Sequence, residues 1–266
     1  MDSKPLVQIT LPIFTPVMKA DQIAEHICNW LQKQLLERAQ KGFVVGVSGG
    51  IDSAVVSALC ARTGLDTLAL SLFIHQRPEQ EHLSREHGRW LLSRHANTVT
   101  HRVIDLTDAF GSFSRAVGQF GYQDPLAFAN SRARLRMTTL YQAAQSTHGL
   151  VVGTGNRIED FGVGFFTKYG DGGVDISPIG DLTKTEVWSL GRELGILPAI
   201  IDAAPTDGLW DDGRCDQDQL AGLTYAQLER AMSLDQSGVS AHVLDDEDQV
   251  LLSQYLQIRN RNLHKM

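Results

Sequence analysis

Apolar residues recur at Ile23, Ile27, Trp30, Leu31, Leu35 and Leu36, at spacings close to one helical turn. The spacing predicts an amphipathic helix over 19–42, with Gly42 as the residue expected to stop it. The pattern then changes. Residues 43–47, FVVGV, are continuously apolar and suit a strand buried on both faces. AVVSALCAR at 54–62 reads as a helix, TLALSLFI at 67–74 as a strand, and a polar, mixed-charge helix follows at about 79–94. A short strand is expected at 98–105 and a helix at 124–147, with Leu135, Met137, Leu140, Tyr141 and Ala144 as its core face. GLVVGTG at 149–155 is strand and turn, 184–195 is a helix closed by glycine, and two more helices fall near 225–234 and 247–258.

Short β-branched runs alternating with helices imply an α/β fold, a parallel sheet with helices on both faces. The crossovers should be right-handed. The length suits one domain over 1–266, with an amino-terminal helix and a helical tail. Ligands of such sheets gather beyond the carboxyl ends of the strands. The loops starting at Gly46, Ile74, Asp105 and Gly153 are therefore expected to converge.

Charge narrows the class. The formal net charge is -7, which argues against a broad phosphate-tracking surface and so against nucleic acid as a partner. Cys28, Cys60 and Cys215 are far apart and form neither a metal pair nor a disulfide framework. Cys28 and Cys60 are expected as small buried side chains, Cys215 as an exposed or pocket thiol. The start, MDSKPLVQITLPIF, lacks the basic and long apolar regions of a signal peptide, and no run reaches the ~18 apolar residues of a membrane span. The expectation is a cytoplasmic protein.

The candidate chemistry begins at SGGIDS, residues 48–53. Gly49 and Gly50 let an anion approach the main chain, and the following helix points unpaired N–H groups and its positive end at that anion. Ser48 and Ser53 add hydroxyls. The lysine of the common G-x-x-x-x-G-K-[ST] loop is absent. Asp52 has two readings: a helix cap, or a ligand for Mg²⁺ on an ATP phosphate chain, where the metal reverses the penalty of a carboxylate beside phosphate.

SGGIDS resembles the S-G-G-x-D-S loop of ATP pyrophosphatases, which form adenylated intermediates. Residues 151–196, containing FFTKYGDGG and DLTKTEV, resemble the central block of NAD synthetases. ARLRM at 133–137, LTYAQLE at 223–229 and the closing His264–Lys265 pair resemble further elements, so the likeness runs from about residue 20 to the end. There is no room for a glutamine-hydrolysing domain, which points to the ammonia-dependent form. The resemblance implies the adenine nucleotide alpha hydrolase-like, Rossmann-like architecture. It also implies ATP, deamido-NAD and ammonia as substrates, Mg²⁺ as cofactor, and a homodimer with deamido-NAD bound partly across the subunit boundary. The helix region 122–147, with Tyr122, Phe128 and Tyr141, is a candidate for that boundary.

Residue by residue, the resemblance and the chemistry together place ATP on Gly46, Ser48, Gly49, Gly50, Asp52, Ser53, Arg134, Thr154 and Lys184. Deamido-NAD falls to Phe165, Lys168, Asp171 and Asp175, and Asp171 also accepts a proton from ammonium. Arg134 and Arg136 cannot share one helical face, and the resemblance favours Arg134 for the site. His75 reads as a polar loop residue.

The metal acid departs from the family pattern. Counting back seven residues from Thr167 reaches Asp160; counting forward from GTGN reaches Glu159. A later insertion through Gly162 and Gly164 favours Glu159, with Asp160 kept open. Loops 75–82 and 205–222 are candidates for covers that exclude water. The alternatives are another adenylating enzyme, such as a tRNA thiolase, and a nucleotide-binding regulator without catalysis. Against the first stands the lack of cysteine pairs and of a basic extension; against the second, the intact Asp52, Lys184 and paired acids.

Overall fold

The computed structural model describes residues 18–206, 208–210 and 214–266. The amino-terminal stretch read above as lacking the features of a signal peptide lies outside the described residues, as do four positions of the 205–222 loop. Four parallel strands, β1 (Gly42–Gly46), β2 (Asp66–Phe73), β3 (Val99–Asp105) and β4 (Gly149–Val152), stand in the order β3-β2-β1-β4. The chain thus winds outward from β1 to β3 and returns to the far side of β1 for β4. The crevice between β1 and β4 is the switch point at which such sheets bind ligands.

Helices α1 (Ala20–Glu37), α2 (Ile51–Arg62), α3 (Pro78–His95) and α6 (Lys184–Glu193) supply the core of one face against Phe43, Val45, Ala69 and Val99. On the other face, α5 (Pro125–Thr147) packs Ala144, Leu140 and Tyr141 on Val44, Leu70 and Val151. Alternate strand residues thus feed opposite cores, as the two-sided apolar pattern requires. Helix α4 (Thr107–Gly118) precedes α5, and short α7 (Pro198–Ile201) and α8 (Asp216–Gln219) follow α6. A third core gathers α9 (Tyr225–Ser237), α10 (Asp246–Asn262) and a π-helical turn, Ile158–Val163. Among the described residues no helix is long and apolar enough to cross a membrane.

Several details differ from the sequence reading. Helix α1 ends at Glu37, and Ala39, with φ of 52°, turns the chain. Gly42 instead opens β1, where a Cβ would lie 2.5 Å from the Asp66 carbonyl oxygen. Close strand packing, not helix termination, demands that glycine. Helix α4 is absent from the sequence reading. Its sequence, TDAFGSFSRAVG, mixes glycine and serine among few strong helix formers, and it is held by Phe110, buried and edge-on to Phe128 of α5. Cys28 and Cys60 are buried as expected, and Cys215 is half-buried.

Candidate active site

The SGG loop leaves β1 and enters α2 at Ile51, with Gly50 as the residue before the helix. Gly49 takes φ of +94°, and a Cβ there would meet the Gln80 carbonyl oxygen of α3 at 2.8 Å. A glycine is therefore required both by conformation and by space. Within the loop, Ser48 N–H donates to Ser53 Oγ (3.1 Å), Ser53 Oγ donates to the Gly50 carbonyl (2.9 Å), and Gly50 N–H donates to Ser48 Oγ (3.2 Å). These bonds curl the main chain around the start of α2, whose first-turn N–H groups face the crevice.

Asp52 is not a cap. It lies inside the first turn of α2, and its Oδ2 accepts from Lys184 Nζ at 2.5 Å. Lys184 opens α6, which Thr183 and Glu186 start with a reciprocal capping box. That box fixes the helix at the point where Lys184 turns inward, and only 2 % of Lys184 is exposed. Its ammonium also donates to Glu159 Oε1 at 2.9 Å and lies 4.6 Å from the centre of the Tyr225 ring. Burial alone lowers an amine's pKa; Asp52 and Glu159 outweigh it and hold Lys184 above the ordinary lysine range.

Asn156, fully buried, locks the other wall. Its Nδ2 donates to Asp52 Oδ1 (3.1 Å), while its Oδ1 accepts from the N–H groups of Ile158 and Glu159, both at 3.1 Å. One side chain thereby joins α2 to the start of the π-turn. The other end of that turn is held by α10: Arg259 Nη1 donates to the carbonyls of Phe161 and Gly162, Tyr255 Oη to Gly162 (3.2 Å), and Asn262 Nδ2 to Val163 (2.9 Å). A π-turn carries one more residue than an α-helical turn and survives where neighbours satisfy its carbonyls.

That turn presents both Glu159 and Asp160 to the same cavity. Asp160 rests against Gly155, where a Cβ would come 2.1 Å from Oδ2. Burial, with Glu159, Asp171 and Asp52 nearby, pushes the Asp160 carboxyl up to about 7. Tyr225, at the start of α9, donates to Glu159 Oε1 (2.6 Å) and lies 2.8 Å from Asp216 Oδ2.

The cavity measures about 290 Å³ and runs from the SGG loop and α2 past Thr154, Glu159, Asp160 and Lys184 to Phe165 and Asp171. Residues Pro205, Thr206, Gly208 and Leu209 cover part of it. An anion cradle, a buried lysine and clustered hard-oxygen carboxylates at the sheet's switch point suit a nucleotide polyphosphate.

Comparison with known proteins identifies the family. A family model described as NAD synthase matches 23–266. An NH3-dependent NAD(+) synthetase of Carboxydothermus hydrogenoformans is 39% identical over 79% of this chain and 84% of its own. One of Archaeoglobus fulgidus is 34% identical over 93% and 95%. The chain belongs to the NAD synthase family. Among solved structures, an NMN synthetase from Francisella tularensis superimposes with a TM-score of 0.79 at 34% identity, covering 93% of this chain and 96% of that one. An NAD+ synthetase from Burkholderia pseudomallei gives 0.70 at 26% identity, over 94% and 92%.

Within this NAD synthase, one cavity is lined by Gly46, Ser48, Gly49, Gly50, Asp52, Ser53, Thr154, Glu159, Asp160, Phe165, Asp171 and Lys184 of the candidate residues. Three expected residues stand outside it. Arg134 is exposed and donates to the Lys168 carbonyl (3.2 Å), whereas Arg136 lines the cavity and donates to the Leu72 carbonyl (3.0 Å) and Gln76 (2.9 Å). Lys168 donates to the His264 carbonyl (3.0 Å). Asp175 accepts from Tyr141 Oη (3.0 Å) and the Val151 N–H (2.8 Å), beside a separate cavity at the start of β4. Phe166 packs under Lys265, whose ammonium reaches its carbonyl at 2.9 Å. His75 is an exposed loop residue edge-on to Phe110. Asn156, Asp216 and Tyr225 are site residues that the sequence reading misses. An asparagine directly before an acidic helix start is the available signal for Asn156.

Proposed function

We infer that this NAD synthase amidates deamido-NAD with ammonia, using ATP and releasing AMP and pyrophosphate. A carboxylate is a poor electrophile and loses oxygen reluctantly. Transfer of AMP to it creates a leaving group that ammonia displaces. The chain's contribution is to hold the pyrophosphate in the SGG cradle, bring Lys184 onto developing phosphate charge, and orient the acceptor carboxylate against the α-phosphorus. The observation that carries this reading is the joint placement of the α2 amino terminus, Asp52, Glu159 and Lys184 in one cavity with Phe165 and Asp171.

Magnesium fits the donor set. Among the described residues no three acidic, histidine or cysteine side chains close on a common metal position. Mg²⁺ usually takes one or two carboxylates together with substrate phosphates and waters. Asp52 with an acid of the π-turn supplies that number, and the ion would neutralise phosphate charge. Glu159 is the preferred partner because it shares the Lys184 ammonium with Asp52; Asp160 stays open as a second.

Phe120 and Tyr122, between α4 and α5, are each 73% exposed, and Leu126, at the start of α5, is 57% exposed. An apolar cluster of this kind suits a homodimer boundary. Arg134 and Lys168, hydrogen-bonded to each other outside the chain's own cavity, are assigned to deamido-NAD, whereas Asp175, engaged by Tyr141 and the Val151 N–H, is assigned a structural role.

The test is incubation with ATP, Mg²⁺, ammonium and deamido-NAD, followed by product identification. NAD, AMP and pyrophosphate are expected; ADP and phosphate would refute the mechanism. The likeness to an NMN synthetase favours one second reading, amidation of the corresponding mononucleotide. Equal concentrations of both acceptors in one reaction decide between them by which amide accumulates first.

A further inference from the structure

One peptide plane launches the SGG loop from β1, and it is held from both sides. The Val47 carbonyl accepts from Ser84 Oγ of α3 at 2.7 Å, and the Ser48 N–H on the opposite edge donates to Ser53 Oγ at 3.1 Å. The two groups of a trans peptide point in opposite directions, so neither bond survives a turn of the plane. Behind Ser84 the side chains continue across the sheet. Ser71 Oγ of β2 lies 2.7 Å from Ser84 Oγ and 2.8 Å from His101 Nε2 of β3. Ser71 and Ser84 are fully buried, and His101 is half-buried.

Counting protons gives this chain a single direction. A carbonyl can only accept, so the one Ser84 hydroxyl proton goes to Val47. Ser71 must then donate to Ser84, which spends its own proton. His101 Nε2 therefore carries a hydrogen and donates to Ser71, and Nδ1 keeps the lone pair. Helix α3 is shaped to admit the ring: at Gly88 an added Cβ would collide with the imidazole. Glycine weakens a helix interior, and the ring accounts for it here. The charged and titratable groups facing His101 are Arg85, Arg89 and His87 of α3 and Arg102 of β3, with Glu81 and Glu86 paired to the first two arginines. Burial, then Arg85, Arg102 and Arg89, hold the ring's pKa below the ordinary 6.5. At neutral pH it is uncharged, and the placement of its one N–H decides what it does.

We propose that His101, fixed as the Nε2–H tautomer, is a positioning residue heading a one-way hydrogen-bond relay through Ser71 and Ser84. The relay sets the peptide plane from which Ser48, Gly49 and Gly50 extend toward the nucleotide phosphates. Helix α3 also floors that loop, since an added Cβ at Gly49 would meet the Ser84 nitrogen at 3.0 Å. An acceptor at position 101 would reverse the relay. Ser71 would donate outward, Ser84 would follow it, and the Val47 carbonyl would lose its partner.

The proposal rests on the reading of the SGG loop as the ATP cradle, and one arm of its test needs no ATP. Nitrogen-15 spectra of the histidine rings are recorded across pH, with His101→Gln identifying the His101 signals. A protonated Nε2 and a titrating Nδ1 are expected; a bare Nε2 at neutral pH would overturn the relay. The second arm compares His101→Gln with His101→Glu. These side chains share one shape, but the amide can donate to Ser71 and the carboxylate can only accept. The KM for ATP should stay within about twofold of wild type in His101→Gln. It should rise about fivefold in His101→Glu, the size of one neutral hydrogen bond, while the KM for the acceptor holds. Assay at high salt, which screens separated exposed charges, keeps the added negative charge from imitating this rise. Ser84→Ala should raise the KM for ATP equally, and combining it with His101→Glu should add almost nothing. The same KM in His101→Gln and His101→Glu, a loss of kcat alone in both, or fully additive effects would overturn the proposal. A wild type that does not use ATP would instead overturn the functional reading, and the ring spectra would still decide the relay. Should His101→Glu not fold, Ser84→Ala and the ring spectra carry the test.

Discussion

Lys184 Nζ lies 2.5 Å from Asp52 Oδ2, although 132 residues separate them in the chain. The SGG loop lacks its own lysine, and this pairing delivers one from α6. The same ammonium holds Glu159 at 2.9 Å, so one buried cation orders acids from two other segments. Removing one member of a buried ionic cluster leaves uncompensated charge.

Lys184→Met should lower kcat by about a hundredfold or more, since it deletes a positioned charge at the phosphates. It should also cost about 3 kcal/mol of stability, because Asp52 and Glu159 lose their cation. Because the folded-state pKa of Lys184 is raised, its stabilising contribution is intact below the unfolded value near ~10.4 and is lost as pH rises through the folded one. Urea unfolding of wild type and variant at pH 8 measures the difference. A kcat within about threefold of wild type would exclude the phosphate role.

Asp160 gives the second prediction. Its carboxyl is pushed up to about 7, mainly by burial. A raised carboxylate pKa means the fold favours the neutral acid, so stability is present at pH 4 and declines as pH rises toward 7. Asp160→Asn keeps the shape and removes the titration. With chelator present, the variant should match the wild type near pH 3–4, draw ahead from pH 5 upward and exceed it by up to about 4 kcal/mol at pH 8. Denaturant midpoints at several pH values report this; a difference that does not change with pH would contradict it.

Much of the site is legible in the sequence, and the losses have physical causes. SGGIDS is readable because glycine, a helix start and anion binding coincide in six adjacent residues. Lys184 is reached through the family's sequence block, since nothing local says that a lysine at a helix start is buried. The ambiguity between Glu159 and Asp160 turns on one extra residue, and the π-turn absorbs it while keeping both acids at the cavity. Tyr225 and Asp216 cannot be paired from sequence, because a tyrosine at a helix start and an aspartate after a loop meet only through the tertiary fold. Arg134 and Arg136 differ by about 200° around α5. Arg136 shares the cavity-facing side with Ala133, Met137 and Leu140, so helical periodicity carries a signal that the family likeness outweighs.

The arginines give a third prediction. Arg136→Ala should raise the KM for ATP by about tenfold, through loss of a cavity-wall cation and of its hold on the β2 end. Arg134→Ala should leave the KM for ATP within about twofold and act on acceptor binding. Initial rates over both substrates separate the effects, and the reverse pattern would restore Arg134 as the ATP residue.

Gly49→Ala tests the loop. A Cβ at φ of +94° meets the Gln80 carbonyl oxygen at 2.8 Å, so α3 and the loop must part. The expected cost is about 1–3 kcal/mol with a raised KM for ATP, read by thermal unfolding and initial rates. Gly64 is the control, because at its φ of +74° an added Cβ would meet nothing within 4 Å. Alanine there should bring conformational strain alone and leave the KM unchanged.

Adenylation of the acceptor carboxylate is tested most directly by isotope transfer. Deamido-NAD labelled with oxygen-18 in its carboxyl group is incubated with ATP, Mg²⁺ and ammonium, and the AMP is examined by mass spectrometry. Attack of that carboxylate on the α-phosphorus followed by ammonia displacement predicts one labelled oxygen in AMP and one in the amide of NAD. Unlabelled AMP, with the label released to water or phosphate, would contradict the mechanism.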